Sequence, residues 1–544
     1  MKIKKFHLLL IFTLGFVSGL PAQDCFDDFM KRGIDAYGLF QFQQAIDLFN
    51  AAKICPDNSE DQVQEIDNWI SKANNGYINE ITKARDEALV LQKEAVKQAR
   101  FSEANRLAYL AAEELEKRNI EDALLLAFMG LDMIEDEPLL QVKQVFGDVV
   151  ASSHALSYKG AGKPILDSDF LPDGRFWSRG AGQSLTFWGA DGRVDTMLAS
   201  NTRIMCTKAS PDGQYIAVGF EKGDVDILDA FGNRIGQSRG TGDEVTDISF
   251  AHDGSLLAAS YRTGKVKILS SNGTLQAETL GKAIPIKEGR FSADGKFIII
   301  RSASSELQII DTEAKPIETI QHKKHIYQFR LSPDQQKILT CSADSTARLS
   351  DFAGQILATL RHPAKVHKAI FSPDGQRMLT AALDHNIRFW DLTGKLLWTL
   401  KGNESTIESI QFAPDGQYFL SFSRGNVVNL WNSEGQPVKN LDRHTGSILC
   451  ADFSPDSKFI LTTSADQTVK LWDITGQLLM NADQYSGSVT SGKFSADGKD
   501  ILTASHDGNL TVLENPVDVF KNLQMNPPMP TEDQQVRFGI SPTQ

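Results

Sequence analysis

The chain has 544 residues, 41% of them hydrophobic and 23% charged, a balance that excludes disordered, fibrous and collagen-like classes and requires several domains or a repeat array. Its 41 glycines against 19 prolines point to many tight turns and so to many short strands. The net charge of −13 is concentrated in residues 24–150, which hold 25 acidic and 13 basic side chains; no region is net basic, so no nucleic-acid partner is expected.

At the N-terminus, Lys2, Lys4 and Lys5 precede an apolar run from Leu8 to Leu20, and Leu20-Pro21-Ala22-Gln23 offers a small-residue cleavage point. Residues 1–23 therefore read as a secretory signal peptide. The run, interrupted by Gly15 and Ser18, falls short of the roughly 20 apolar residues of a membrane span. No transmembrane segment is expected after signal cleavage, and the expected location is periplasmic or extracellular. In an oxidising compartment five cysteines carry meaning. Cys25 and Cys55 bracket a helical hairpin whose outer ends lie side by side, which makes them a disulfide candidate. Cys206, Cys341 and Cys450 each sit in an apolar strand-like run, as small buried hydrophobes do.

Residues 24–150 read as helical. Phe29, Ile34, Tyr37 and Phe40, then Ala45, Ile46, Phe49 and Ala52, fall at helical spacing and predict two helices joined near residues 40–43. Gly33, Phe42, Ala45, Phe49 and Ala52, with Pro56 beyond them, resemble the small-and-aromatic positions of a tetratricopeptide repeat over about 34 residues. The resemblance implies a peptide- or protein-binding helical array; a spacer or dimerising stalk is the other reading. A long helix is predicted from about Tyr77 to Lys117, and a second hairpin sets residues 103–115 against 120–134 through Ala111, Ala123, Ala127 and Gly130, with Pro138 past its end.

Residues 151–515 carry a repeat. Variants of Phe-Ser-Pro-Asp-Gly place aspartates at 173, 212, 253, 294, 334, 374, 415, 456 and 497, spaced by 39 to 41 residues. Such a period requires one stacked supersecondary unit, and each unit reads as a four-stranded antiparallel meander. With Trp390-Asp391 and Trp472-Asp473 at the ends of their third strands, the units resemble the WD40 family of β-propellers. The resemblance implies a buried hydrogen-bonded tetrad within a blade, here His444, Ser464, Asp466 and Trp472. Partial versions are His322, Ser342 and Asp344, and His362, Asp384 and Trp390 with Ala382 in place of the hydroxyl. The last unit lacks a fourth strand while Ala155–Lys159 forms an orphan before the first, so pairing the two would close a ring of nine blades. The fold class is thus an all-α N-terminal region followed by an all-β WD40-type propeller, with residues 516–544 as a loose C-terminal tail packed partly on the propeller.

Function in propellers resides on the faces. Lys323, Lys324 and His325 in one unit and Lys365, His367 and Lys368 in the next would form a basic patch on an otherwise acidic protein, suited to an acidic partner segment or anionic glycan. His322, His325, His362 and His367 lack a recognisable metal-ligand spacing, and neither nucleophile-elbow, zincin, phosphate-loop nor dinucleotide motifs occur, so no metal, no cofactor and no catalytic residue is expected. A propeller could bring Asp224, Asp226 and Asp229 toward other carboxylates across its channel, although alternation along their strand is the simpler account of their spacing. The expected function is a non-enzymatic scaffold binding protein partners outside the cytoplasm; the alternative is a secreted enzyme acting on glycans or peptides at the channel mouth.

Overall fold

The structure is a computed structural model that describes residues 22–55, 58–134, 139–159, 164–181, 183–190, 193–240, 242–281, 283–401 and 405–540. Most of the signal-peptide stretch, along with Pro56 and Pro138, lies outside them. The chain divides into two compact units between Ser102 and Glu103.

In the first unit, α1 (Ala22–Gly38) and α2 (Phe42–Lys53) form a hairpin, and Cys25 and Cys55 are joined in a disulfide. Phe49 is wholly buried between the helices, in room that Gly33 leaves free: a Cβ on Gly33 would stand 2.5 Å from the Phe49 ring. α3 (Glu60–Glu116) supplies Ile66 and Ala73 to the same core, and Trp69 stacks on Phe49 with ring centroids 5.7 Å apart. This helix starts well before the predicted Tyr77 and runs through Gly76, because Phe42 occupies the space where a side chain would stand.

The second unit begins inside α3 and continues with α4 (Ile120–Asp132) and α5 (Leu140–Ser153). The helical region therefore does not end at residue 150 as a body of its own; from residue 103 onward it belongs to the propeller's unit. The reason lies in α5, where Gly147 sits on the carbonyl of Leu479 with no room for a Cβ. Beside it the Asp148 carboxylate accepts the backbone N–H of Asn481 at 2.6 Å. The outer strand there, Leu478–Ala482, is accordingly buried, whereas its counterpart Pro437–Leu441 in the preceding blade is mostly exposed.

Nine four-stranded antiparallel sheets follow. Eight are meanders of consecutive strands. The ninth combines Val489–Phe494, Asp500–Ser505 and Asn509–Glu514 with the orphan strand Leu156–Lys159, which pairs Leu156 with Val512 and Lys159 with Asn509. The orphan strand thereby closes a nine-bladed propeller, as the missing fourth strand implied. The first strands of successive blades neighbour one another and surround the channel. The second strands of most blades are nearly continuous in burial, as in Phe459–Ser464, because neighbouring sheets cover both faces. The repeat's polar signature is a turn: Ser372 donates to Asp374 at 2.5 Å and accepts from Arg377 N–H at 2.9 Å, and Gly375 takes φ +68°.

Residues 516–540 are packed as expected, but as two helices rather than a loose end. Asn515 caps α6 (Pro516–Met525), and a Thr531–Gln534 capping box starts α7 (Glu532–Phe538). Phe520 packs against Phe128 and Phe146, while Arg537 pairs with Glu114 and Asp122 at 2.8 Å each.

Candidate functional site: tetrads, basic loops and channel

In blade 8, Trp472 donates its indole N–H to Thr462 Oγ1 at 2.9 Å, the same oxygen lies 2.9 Å from His444 Nε2, and His444 Nδ1 lies 2.9 Å from Asp466. The bridging hydroxyl is Thr462, not Ser464. Both point to the same face of the strand, two residues apart. Thr462 is level with the indole, while Ser464 reaches only the following turn, where it accepts the N–H of Asp466 at 3.1 Å. Burial would raise the Asp466 pKa, but hydrogen bonds from Thr468, Thr445 and His444 outweigh it and hold the carboxyl well below its usual range. Burial lowers that of His444 against the pull of Asp466.

The same offset corrects the partial copies. In blade 5 His322 meets Thr340 at 2.8 Å and Asp344 at 3.1 Å, with Ser342 bonded instead to the carbonyl of Lys324. In blade 6 Thr380 receives Trp390 at 2.8 Å and lies 2.7 Å from His362, so that blade does not lack its hydroxyl. There Asp384 pairs with Arg388 rather than with the histidine, and His362, buried beside Arg388, is pushed down to about 4. Trp188 with Ser178 and Trp431 with Ser421 repeat the pair at 2.9 Å, and in blade 9 Tyr485 bonds Thr503 at 2.7 Å in the histidine's place. A hydroxyl ten residues before a tryptophan, or eighteen after a histidine or tyrosine, is the sequence signal that finds these pairs.

The basic loops stand on this frame. Asp344 accepts the backbone N–H of Lys323 at 2.9 Å, and Lys365 O accepts that of Leu383 at 2.8 Å, so each loop is fixed at its backbone. Lys323, Lys324 and Lys365 are exposed on adjacent blades. The other three lie deeper. His325 packs edge-on against Tyr327 at 5.2 Å, and burial, with Arg301 second, lowers its pKa. His367 reaches across to the carbonyl of Ile407 in blade 7, and Lys368 is half-buried in the first strand of blade 6.

Asp224, Asp226 and Asp229 do not converge. They lie on or beside a third strand away from the channel and act singly: Asp226 is buried with Arg234 at 3.4 Å, Asp224 accepts Gly240 N–H at 2.7 Å, and Asp229 orders its own turn. Cys206, Cys341 and Cys450 lie on strands, and burial pushes the thiols of Cys206 and Cys341 up to about 12. Among the described residues no group of three or more His, Cys, Asp or Glu could hold a metal, and no helix is long and apolar enough to cross a membrane.

The WD40 family pattern, described as WD domain, G-beta repeat, matches residues 232–270 and 435–473. A second pattern, described as Eukaryotic translation initiation factor eIF2A, matches residues 296–445. No curated protein matches the chain. Among solved structures it is similar to the crystal structure of a computationally designed protein, Ika8, at 22% identity and a TM-score of 0.47, over 58% of this chain and 97% of that one. The tetrads, the period near forty and the family match agree: the chain carries WD40 repeats, folded as a nine-bladed β-propeller preceded by a helical region.

Proposed function

We propose that the protein is a non-enzymatic interaction scaffold, exported by its N-terminal signal, that holds protein partners on the propeller face formed by the loops of blades 5 and 6. The observation that carries this reading is the pair of backbone-pinned loops that expose Lys323, Lys324 and Lys365 on neighbouring blades of a protein whose net charge is −13. An acidic segment on a partner is the complementary chemistry. The translation-factor pattern covers residues 296–445, from the second strand of blade 4 through blade 7.

Two measurements test the proposal. Cross-linking in the native cell followed by isolation should recover a defined envelope partner, lost when Lys323, Lys324 and Lys365 are changed to Glu. The mature protein should begin near residue 23 and fractionate outside the cytoplasm. Retention of the partner by the triple variant would move the site off these loops, and an uncleaved protein sedimenting with ribosomes would replace the scaffold with a role in translation.

A further inference from the structure

The third and fifth positions of the innermost strands carry charged side chains around the ring, among them Lys208 in blade 2 and Asp247 in blade 3. Blades 8, 9 and 1 present Asp452, Lys493, Asp167 and Asp169. On that arc Lys493 pairs with Asp169 at 2.7 Å, and Asp452 accepts from Gln411 at 2.5 Å. Blades 4, 5 and 6 present Glu288, Arg290, Arg330 and Lys368.

On this second arc one carboxylate serves three guanidinium groups. Glu288 receives Arg290 Nε at 2.8 Å and Arg301 Nε from its cross-strand partner position at 3.2 Å, and lies 3.6 Å from Arg330 Nη1 of the next blade, which donates to the carbonyl of Phe329 at 2.9 Å. Asp247, which faces Glu288 from blade 3, is engaged with the N–H of Gly289 at 2.9 Å. Three positive charges against Glu288 and the Asp247 carboxylate leave an excess of one, partly shielded from water: the Arg301 side chain is 14% exposed and Arg330 35%. Burial first, and then Arg290, lower the Arg330 pKa against the pull of Glu288. Crowded like charges of this kind cost stability until a counter-charge is supplied. Planar guanidinium forks match carboxylate and phosphate oxygens in pairs, which lysines do not.

We propose that Arg290, Arg301 and Arg330 form an oxyanion-binding site on the channel wall between blades 4 and 5, with Glu288 as the internal counter-charge that an incoming anion displaces. Its ligand is a carboxylate or phosphate group, carried by a free small anion or by an acidic side chain threaded into the channel. The site does not depend on the loop patch: its residues lie on other strand positions and its charge excess is local.

Calorimetric titration of the purified protein at constant ionic strength, with chloride as the background anion, tests it using inorganic phosphate, citrate and a hexaglutamate peptide. At least one should bind. Arg290→Gln and Arg330→Gln should each weaken that binding tenfold or more, while Glu288→Gln, which removes the internal competitor, should tighten it several-fold. Arg290 is the most exposed of the three, so its variant remains informative if Arg330→Gln misfolds, which urea midpoints would reveal. Binding of phosphate or citrate alone assigns the site to free anions; binding of the peptide alone assigns it to an acidic segment. Failure of the folded wild type to bind any of the three, or binding unchanged in Arg290→Gln, overturns the proposal.

Discussion

The hydroxyl of Thr462 satisfies two buried donors or acceptors at once, the Trp472 indole and the His444 ring, while Ser464 satisfies a single turn N–H. A buried polar group left unpaired costs about 1–3 kcal/mol, so Thr462→Val should destabilise the protein by about 2–4 kcal/mol and Ser464→Ala by about 1 kcal/mol or less. Urea denaturation of the two variants measures the difference, and equal losses would return the bridging role to Ser464. Residue types at the tetrad were legible in the sequence, since His444, Asp466 and Trp472 follow the family pattern. Which hydroxyl bridges was not: a strand repeats every two residues, so residues 462 and 464 share a face and differ only in how far along it they reach.

At the scale of elements, helical spacing located α1, α2 and α4, but not the boundary between the two units. That boundary depends on how closely α5 approaches blade 8, and the only local sign of it is a glycine inside a helix. In the tail, packing was expected but two helices were not; the Asn515 and Thr531 caps start them. The docking of α5 has a titratable core. Asp148 is pushed up to about 7, chiefly by burial and against its bond from Asn481. Because the folded pKa lies above the unfolded one near 3.8, this group favours folding fully below about pH 4, and its contribution is lost as pH rises through 7. Asp148→Asn keeps the acceptor without the charge. The variant should match wild type near pH 4 and exceed it at pH 8 by up to about 4 kcal/mol, a difference that urea midpoints across pH would register.

For the molecule as a whole, the count of nine was legible because the aspartate turns never lose their period, and closure was legible because one unit lacks a strand that an orphan could supply. The arginine cluster of blades 4 and 5 was not, since it arises only when residues about forty apart are set side by side. Closure can be tested directly. Ser157 Oγ and Thr511 Oγ1 face each other at 3.2 Å across the sealing pair, so Ser157→Cys with Thr511→Cys should form a disulfide in the folded ring. Non-reducing mass analysis would detect the bond, and reduction should lower the melting temperature; thiols that stay free after mild oxidation would argue that this pair is not formed. The same seam sets a timetable for biosynthesis. Leu156–Lys159 can find Asn509–Glu514 only after some 350 further residues have been made, roughly 20 to 70 s at 5–20 residues per second. Through that interval the nascent chain carries an unpaired strand edge at its beginning and a growing row of blades behind it. Whatever escorts it must shield that edge until the last blade emerges.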